Sequence, residues 1–303
     1  MSLLELTLGR GLIDTDGGRH RDAVLTAPDG RLEFALADAV RVSPGVVRVA
    51  PAVRHQVLAS CLERVGGYDA PDAGLVAALS RGDADLVALA VRRALLGPTL
   101  ALVVRCANPA CAELADVDVE LADLLPETDE PEPEWFVADA GESGRAVLRA
   151  VTGADDETLE SVEGPESART AALMVAVVRT VEVSDTAEPL RNAEAWSQLP
   201  SALRTAVLVA LARRPLAPTT HLQVGCPACD AVNEVRFDPL VLLGRELSSG
   251  SGRLLLETHC LAFHYGWSED AVLDLSRDRR WAYLALLRAQ LTGAPLETAV
   301  GRG

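Results

Sequence analysis

The sequence predicts an α+β fold built from two tandem copies of a small helix-plus-β-hairpin unit, followed by a C-terminal helical segment. Three observations support this prediction. Two close cysteine pairs lie within strand-like alternation, the same order of apolar segments precedes each pair, and helical periodicity follows the second pair. A chain of 303 residues has room for two domains of ordinary size, and its hydrophobic content of 49% is enough for buried cores.

The cysteine pairs define the repeat. Cys106 and Cys111 in one copy, and Cys226 and Cys229 in the other, each lie between two strand-like segments that lead into a double leucine. The second cysteine of each pair stands 13 residues before the first of those leucines. Because the same features recur at the same spacing, the sequence predicts duplication of one unit.

Apolar segments precede each cysteine pair in the same order. The last helical pattern stops at Gly97 in the first copy and before Pro215 in the second. Each copy is predicted to contain an extended segment, an amphipathic helix and a second apolar helix, at 30–34, 55–65 and 83–96 in the first copy and at 144–148, 170–181 and 199–214 in the second.

An acidic, proline-rich stretch separates the two copies and is predicted to be a solvated linker. Beyond the second copy the pattern is helical, with Ser268 and Ser276 placed as N-caps. Helices are predicted at 240–246, 253–265, 269–275 and 277–291, with 248–252 as a flexible connection. The predicted organisation is a first unit at 1–125, the linker at 126–134, a second unit at 135–243 and C-terminal helices at 244–303.

The charge and composition exclude several classes of function. The 28 basic residues are all arginine and face 44 acidic residues, for a net charge of −16. This charge repels nucleic acids and anionic membranes, so neither is an expected partner. The absence of lysine removes the essential lysine of phosphate-loop, pyridoxal and kinase sites. Neither a secretory leader nor a membrane-spanning apolar run is recognisable, so a cytoplasmic protein is expected.

The cysteines carry the most specific chemistry in the sequence. Two short knuckles that each contribute two thiolates are typical of a structural zinc site with tetrahedral geometry. If the two copies pack about a pseudo-twofold axis, their knuckles meet in one site. The sequence therefore predicts a structural zinc held by Cys106, Cys111, Cys226 and Cys229.

Two other interpretations of these cysteines stay open. In one, Cys226 and Cys229 form a thiol redox pair, although a strand pattern follows Cys229 where such a pair needs the N-terminus of a helix. In the other, the four cysteines are turn residues that no longer bind metal. Cys61 and Cys260 lie on apolar helix faces and are predicted to be core thiols.

No catalytic constellation is recognisable, so a non-enzymatic role is expected. An alternative is a helix-turn-helix DNA-binding protein, in which the last helix would present Arg277, Arg279, Arg280 and Trp281 to a groove. The acidic charge of the whole chain disfavours that alternative. Aromatic side chains on the C-terminal helices instead favour contacts with protein partners, through Trp267, Trp281 and Tyr283.

Several segments together resemble a known family. They are the helix that ends LASCLERVGG, the segments LPSALRTAVLVAL and HLQVGCPACDAVNEVRFDP, and the C-terminal stretch that contains YGWSED. They resemble the zinc-knuckle baseplate or tail-assembly proteins of contractile tailed phages and related injection systems. The first knuckle departs from the family pattern, since four residues lie between its cysteines where a tighter spacing is usual. The resemblance implies a structural or assembly role without catalysis, in a particle whose other baseplate proteins are the partners.

Overall fold

The computed structural model describes residues 4–39, 49–125, 130–183, 186–212, 218 and 220–295. The fold is a mixture of helices and small antiparallel sheets, as the sequence predicts. Two sheets have four strands and two have two strands.

The first half of the chain contains six strands and four helices. In chain order these are β1 (Leu4–Ile13), β2 (Arg19–Leu25), α1 (Gly30–Ala39), α2 (Pro51–Ser60), β3 (Leu62–Val65), β4 (Tyr68–Asp69), α3 (Ala73–Ala77), α4 (Arg81–Leu96), β5 (Thr99–Arg105) and β6 (Leu114–Glu120). A 3₁₀ turn at Leu121–Leu124 follows β6.

The second half repeats this order of elements. It contains β7 (Phe136–Asp139), β8 (Arg145–Leu148), α5 (Gly153–Glu160), α6 (Glu166–Val177), β9 (Val178–Val183), β10 (Thr186–Glu188), α7 (Ala193–Gln198), α8 (Ser201–Ala212), β11 (His221–Gly225) and β12 (Val232–Arg236). The strand orders β1-β2-β3-β4 and β7-β8-β9-β10 also match, and each half ends in a separate two-stranded hairpin.

Three helices follow the second half: α9 (Pro239–Tyr265), α10 (Glu269–Leu273) and α11 (Arg277–Thr292). The side chain of Ser268 caps α10 as predicted, by accepting a hydrogen bond from the Ala271 amide at 3.2 Å. The predicted break at 248–252 is wrong, because α9 runs through it as one helix. Leu247 and Leu254 are buried on either side of this stretch, two turns apart on one face, and their packing keeps the helix continuous.

The predicted extended segment 30–34 is also wrong, because it forms the first half of α1. The Asp29 carboxylate accepts a hydrogen bond from the Leu32 amide at 2.8 Å, which starts the helix. Leu32 and Leu36, four residues apart, are both buried, whereas Phe34 is 45% exposed. The segment 144–148 does contain the predicted strand, β8, and its counterpart in the first half is β2.

The first amphipathic helix of each half ends earlier than predicted, and at the same structural place. Helix α2 ends at Ser60 and α6 at Val177, and each leads almost at once into a strand, β3 or β9. These strands pair with β2 and β8, so the apolar residues that extend the helical pattern form sheet contacts instead. The predictions 55–65 and 170–181 each merged a helix with the strand that follows it.

The second helices fit their predictions better. Helix α4 ends before Gly97, which adopts a positive φ of 91°. Helix α8 covers most of the segment predicted at 199–214, whose last two positions lie outside the described residues. Of the predicted linker, only 130–134 is described. There Glu132 is buried: its amide donates to the Gly9 carbonyl, and its carbonyl accepts from Arg19.

Three apolar clusters form the core. One lies in the first half and includes Leu240, Leu243 and Leu247 of α9. A second lies within the second half, and a third between the two hairpins. Among the described residues, the structure contains no helix with the length and apolar character needed to cross a membrane.

Candidate metal centre

The two hairpins β5–β6 and β11–β12 pack against each other. Leu100 at the base of the first hairpin is fully buried, and Leu102 and Val119 pack in the same cluster as Leu222 and Phe237 of the second. Both hairpins are fully paired antiparallel ladders. Their inward faces are apolar because side chains alternate along each strand. This packing brings the turns of the two hairpins together.

The four cysteines of those turns form one cluster. All four Sγ atoms lie within 4.8 Å of one another. Across the hairpins, Cys106 Sγ lies 3.6 Å from Cys229 Sγ, and Cys111 Sγ lies 3.8 Å from Cys226 Sγ. A tetrahedral zinc with Zn–S bonds of about 2.3 Å separates its sulfurs by about 3.8 Å. The spacing therefore fits zinc, and it is far longer than the roughly 2.05 Å of a disulfide bond.

The two turns share a backbone geometry despite their different lengths. In the second hairpin the Asp230 amide donates to the Cys226 carbonyl at 2.9 Å, and in the first the Ala112 amide donates to the Asn108 carbonyl at 2.9 Å. Asp230 and Ala112, which directly follow the second cysteine, adopt positive φ values of 57° and 49°. Asn108 therefore takes the turn position that Cys226 has in the second knuckle, and Cys106 lies two residues before it.

A buried asparagine connects the two knuckles. Asn233 of β12 is 4% exposed, and its Oδ1 accepts a hydrogen bond from the Ala107 amide of the first knuckle at 2.7 Å. Its Nδ2 donates to the carbonyls of Val224 and Ala231 in its own hairpin. The sequence analysis missed this residue. The signal was a polar side chain at an inward position of an alternating strand.

Backbone amides point at the sulfurs and tune the thiols. The Ala231 amide, a hydrogen-bond donor to Cys229, lowers the pKa of that thiol to about 7. The Asn108 amide acts in the same direction on Cys106, but burial and the three neighbouring thiols raise its pKa to about 12. The pKa of Cys111 is also raised, because burial and two neighbouring thiols outweigh the Glu113 amide. A divalent metal would favour the deprotonated form of all four thiols.

The other two cysteines lie outside this cluster. Cys61 is 1% exposed, and burial raises the pKa of its thiol to about 12, which fits the predicted core role. Cys260 is partly buried on α9. Neither belongs to a group of metal-ligating side chains among the described residues.

The aromatic residues predicted to contact partners make contacts within the chain. Tyr265 stacks on Trp267, and Tyr283 meets both rings edge to face, with ring centroids 4.8 to 5.9 Å apart. Trp281 donates from Nε1 to a Glu257 carboxylate oxygen at 2.7 Å and is 38% exposed. Much of this aromatic surface therefore holds the C-terminal helices together.

Two arginines in the first turn of the last helix, Arg277 and Arg280, form ion pairs within the chain. Arg280 is fully buried and bonds to the carboxylates of Glu33 and Glu257, at 2.7 Å and 3.0 Å. Arg277 lies 2.9 Å from Glu33 as well, whereas Arg279 is exposed. Because a buried guanidinium cannot reach a DNA groove, the geometry does not match the set of four residues expected of a recognition helix.

Comparison with family models, with curated proteins and with solved structures finds no match for this chain. The inference of function therefore depends on the sequence and on this geometry.

Proposed function

We propose that the four-cysteine cluster holds one structural zinc ion, and that this ion joins the hairpins of two copies of a duplicated unit. The observation that carries the proposal is the placement of four Sγ atoms, from knuckles more than 100 residues apart, within 4.8 Å. Cys106, Cys111, Cys226 and Cys229 would be the ligands. Cys106 and Cys226 are buried, Cys111 is half-buried and Cys229 is exposed, so the site lies near the surface and is closed by its four thiolate ligands.

We further propose that the protein is a non-catalytic structural or assembly component of the baseplate of a contractile, phage-tail-like injection particle in the cytoplasm. Two arguments support this role. The sequence resembles zinc-knuckle baseplate proteins over the knuckles and the C-terminal helices, and the four-cysteine cluster joins the two hairpins, which is a structural placement. Other baseplate proteins are the expected partners, and the net charge of −16 disfavours nucleic acid and anionic membrane.

A thiol redox function is the second candidate, and the low pKa of Cys229 is the observation in its favour. Its partner in the motif, Cys226, approaches Cys111 of the other hairpin, so each short sulfur–sulfur contact joins the two hairpins. The residues after Cys229 form a strand, which supplies no helix dipole. The amide that lowers the pKa of Cys229 serves a zinc thiolate equally well.

The zinc proposal is tested by metal analysis of purified protein. We expect one zinc per chain in the wild type, loss of that zinc in Cys226→Ser, and full retention in Cys260→Ser, which removes a thiol outside the cluster. Metal-free wild-type protein that reduces a disulfide substrate catalytically would support the redox candidate instead.

The particle proposal has a separate test. In a strain that lacks the gene, we expect contractile particles without complete baseplates, and restoration of normal particles by the wild-type gene. Normal baseplates and full-length sheaths in the deletion strain would contradict the proposed role.

A further inference from the structure

Helices α4 and α8 are counterparts, but only one of them is covered. Ala88 and Leu208 each stand 18 residues before the first cysteine of their pair, and Leu89 and Val209 each stand 17 residues before it. Ten of the 16 residues of α4 are buried, against two of the 12 residues of α8. Ala88 and Leu89 have exposures of 0% and 1%, whereas Leu208 and Val209 have 44% and 43%.

The helix that covers α4 is α9. Leu240, Leu243 and Leu247 of α9 belong to the same apolar cluster as Ala88 of α4, whereas Leu89 packs in the cluster between the two hairpins. Arg92 of α4 pairs with Glu246 of α9 at 2.7 Å, and both side chains are largely buried. No described element lies on α8 in this way, and α8 packs on β7 and β8 from its other side.

The order of elements explains this difference. After the second hairpin the chain continues as α9 and crosses onto the first half. After the first hairpin it makes only the short turn Leu121–Leu124 and then enters the acidic, proline-rich stretch 126–134. Among the described residues that follow the first hairpin, no long helix crosses onto the second half.

The exposed side of α8 has the chemistry of a helix-docking surface. We call the three residues Arg204, Leu208 and Val209 the α8 face. Leu208 lines a cavity of about 580 Å³ together with Leu173 of α6 and the first turn of α4. Arg204 lies one turn before Leu208, and its Nε is buried without a hydrogen-bond partner among the described residues.

We propose that the α8 face binds an amphipathic helix of a partner protein, in the way that α4 binds α9. The helix would carry leucines at the i, i+3, i+7 spacing of Leu240, Leu243 and Leu247. A second copy of this chain is the less suitable occupant, because both copies would carry a net charge of −16. The proposal depends on packing and does not rest on the proposed metal or particle.

The charge of Arg204 specifies one more property of the partner helix. Helix α9 runs in the same direction as α4: Asp238 at its start shares Arg54 with Asp85, and Glu246 pairs with Arg92 nearer the end of α4. Position 204 corresponds to position 84, next to the start of that contact. A docked helix with an acidic first residue, placed as Asp238 is, would bring that carboxylate to Arg204.

A labelled peptide with the sequence of residues 238–265 is the probe, titrated with purified full-length protein and followed by fluorescence anisotropy. We expect saturable binding to the wild-type protein. In the full-length protein, Leu208→Asp should weaken this binding at least tenfold, whereas the matched control Leu256→Asp, on the exposed side of α9, should leave it unchanged. Arg204→Glu should also weaken binding, and Asp238→Arg in the peptide should restore it. Thermal unfolding of each variant checks that it folds, and Leu208→Ala provides a milder second variant.

Three results would overturn the proposal. One is an absence of peptide binding to the wild type. Another is binding that Leu208→Asp and Leu208→Ala leave unchanged, because the peptide would then be replacing α9 on α4. The third is concentration-dependent dimerisation of the wild type that Leu208→Asp abolishes, because a second copy would then be the occupant.

Discussion

The two halves of the molecule share one order of elements but differ in whether another helix covers their second apolar helix. In the first half this helix is α4, which is buried under α9, a helix that follows the second half in the sequence. The second half has the same helix, α8, half exposed. The two halves therefore agree in their local order of elements, whereas the covering of each core depends on what the chain does after each half.

The knuckles show the opposite behaviour, because they differ in sequence and agree in geometry. In the first pair the turn begins at Asn108, two residues after Cys106, yet it has the same type of hydrogen bond and a similar positive φ as the turn that begins at Cys226. In a shared metal site, four sulfurs must reach one point, which constrains both turns equally. The halves are thus free to diverge at α4 and α8 but not at the cysteines.

The largest expected effect tests whether the halves share one site. Cys106→Ser and Cys226→Ser should each lower the melting temperature by about 10 °C. A cross-link that closes a loop of roughly 100 residues contributes about 4.7 kcal/mol to the free energy of unfolding, and a loss of 1 kcal/mol lowers the melting temperature of a chain of this size by about 2 °C. Calorimetry with and without a chelator measures it. A lower melting temperature in only one of the two variants would show that the halves do not share the metal.

The next effect sharpens the contrast between α4 and α8. Leu89→Ala should cost about 3 kcal/mol of unfolding free energy, as expected for a buried leucine in a packed core. Val209→Ala, at the counterpart position, should cost about 0.5 kcal/mol, because its side chain already contacts water. Urea unfolding of both variants gives the two values. Equal costs would contradict the different burial of the two helices.

A smaller effect concerns the start of the second half. Burial raises the pKa of Asp155, but hydrogen bonds from Arg149 and Thr152 outweigh it, and the pKa is lowered overall. The stabilisation is therefore present above about pH 4 and is lost as the pH falls through the lowered pKa. Asp155→Asn should cost about 2 kcal/mol at pH 7, with the difference from wild type shrinking below about pH 4. If the cost of Asp155→Asn does not change with pH, the charge of Asp155 is not the source of the stabilisation.

The smallest effect is a difference in reactivity between thiols. In metal-free protein at pH 7.5, iodoacetamide should modify Cys229 ahead of Cys106 and Cys61, since the pKa of Cys229 is about 7 and those of the other two are about 12. Mass spectrometry of digests at timed intervals identifies the order. Added zinc should protect Cys229, and unprotected labelling would contradict a metal site there.

Local signals predicted the parts of the fold that depend on neighbouring residues. The end of α4 at Gly97, the hairpin strands and the cap at Ser268 all follow from spacing and residue type. The cysteine cluster was also predictable, because both pairs stand at the same distance before a double leucine, and this repeat indicated a shared site.

Distant contacts decided what the sequence left undetermined. Segment 30–34 looks extended, but its Glu33 meets Arg280 from the far end of the chain and α1 packs on α9. In the sequence Asn233 is an ordinary strand residue. Its role depends on its hydrogen bond to the first knuckle, which the sequence does not show. The exposure of α8 was equally hidden, since it depends on the absence of a covering element.

The placement of α9 also has a consequence for synthesis on the ribosome. More than 100 residues separate the end of β6 at Glu120 from the start of α9 at Pro239. At a synthesis rate of about 5–20 residues per second, the apolar side of α4 stays exposed to water for several seconds before α9 is made. Nascent chains that stall before Leu247 should therefore attract chaperones and proteases, and translation through α9 is the step that ends this vulnerable period.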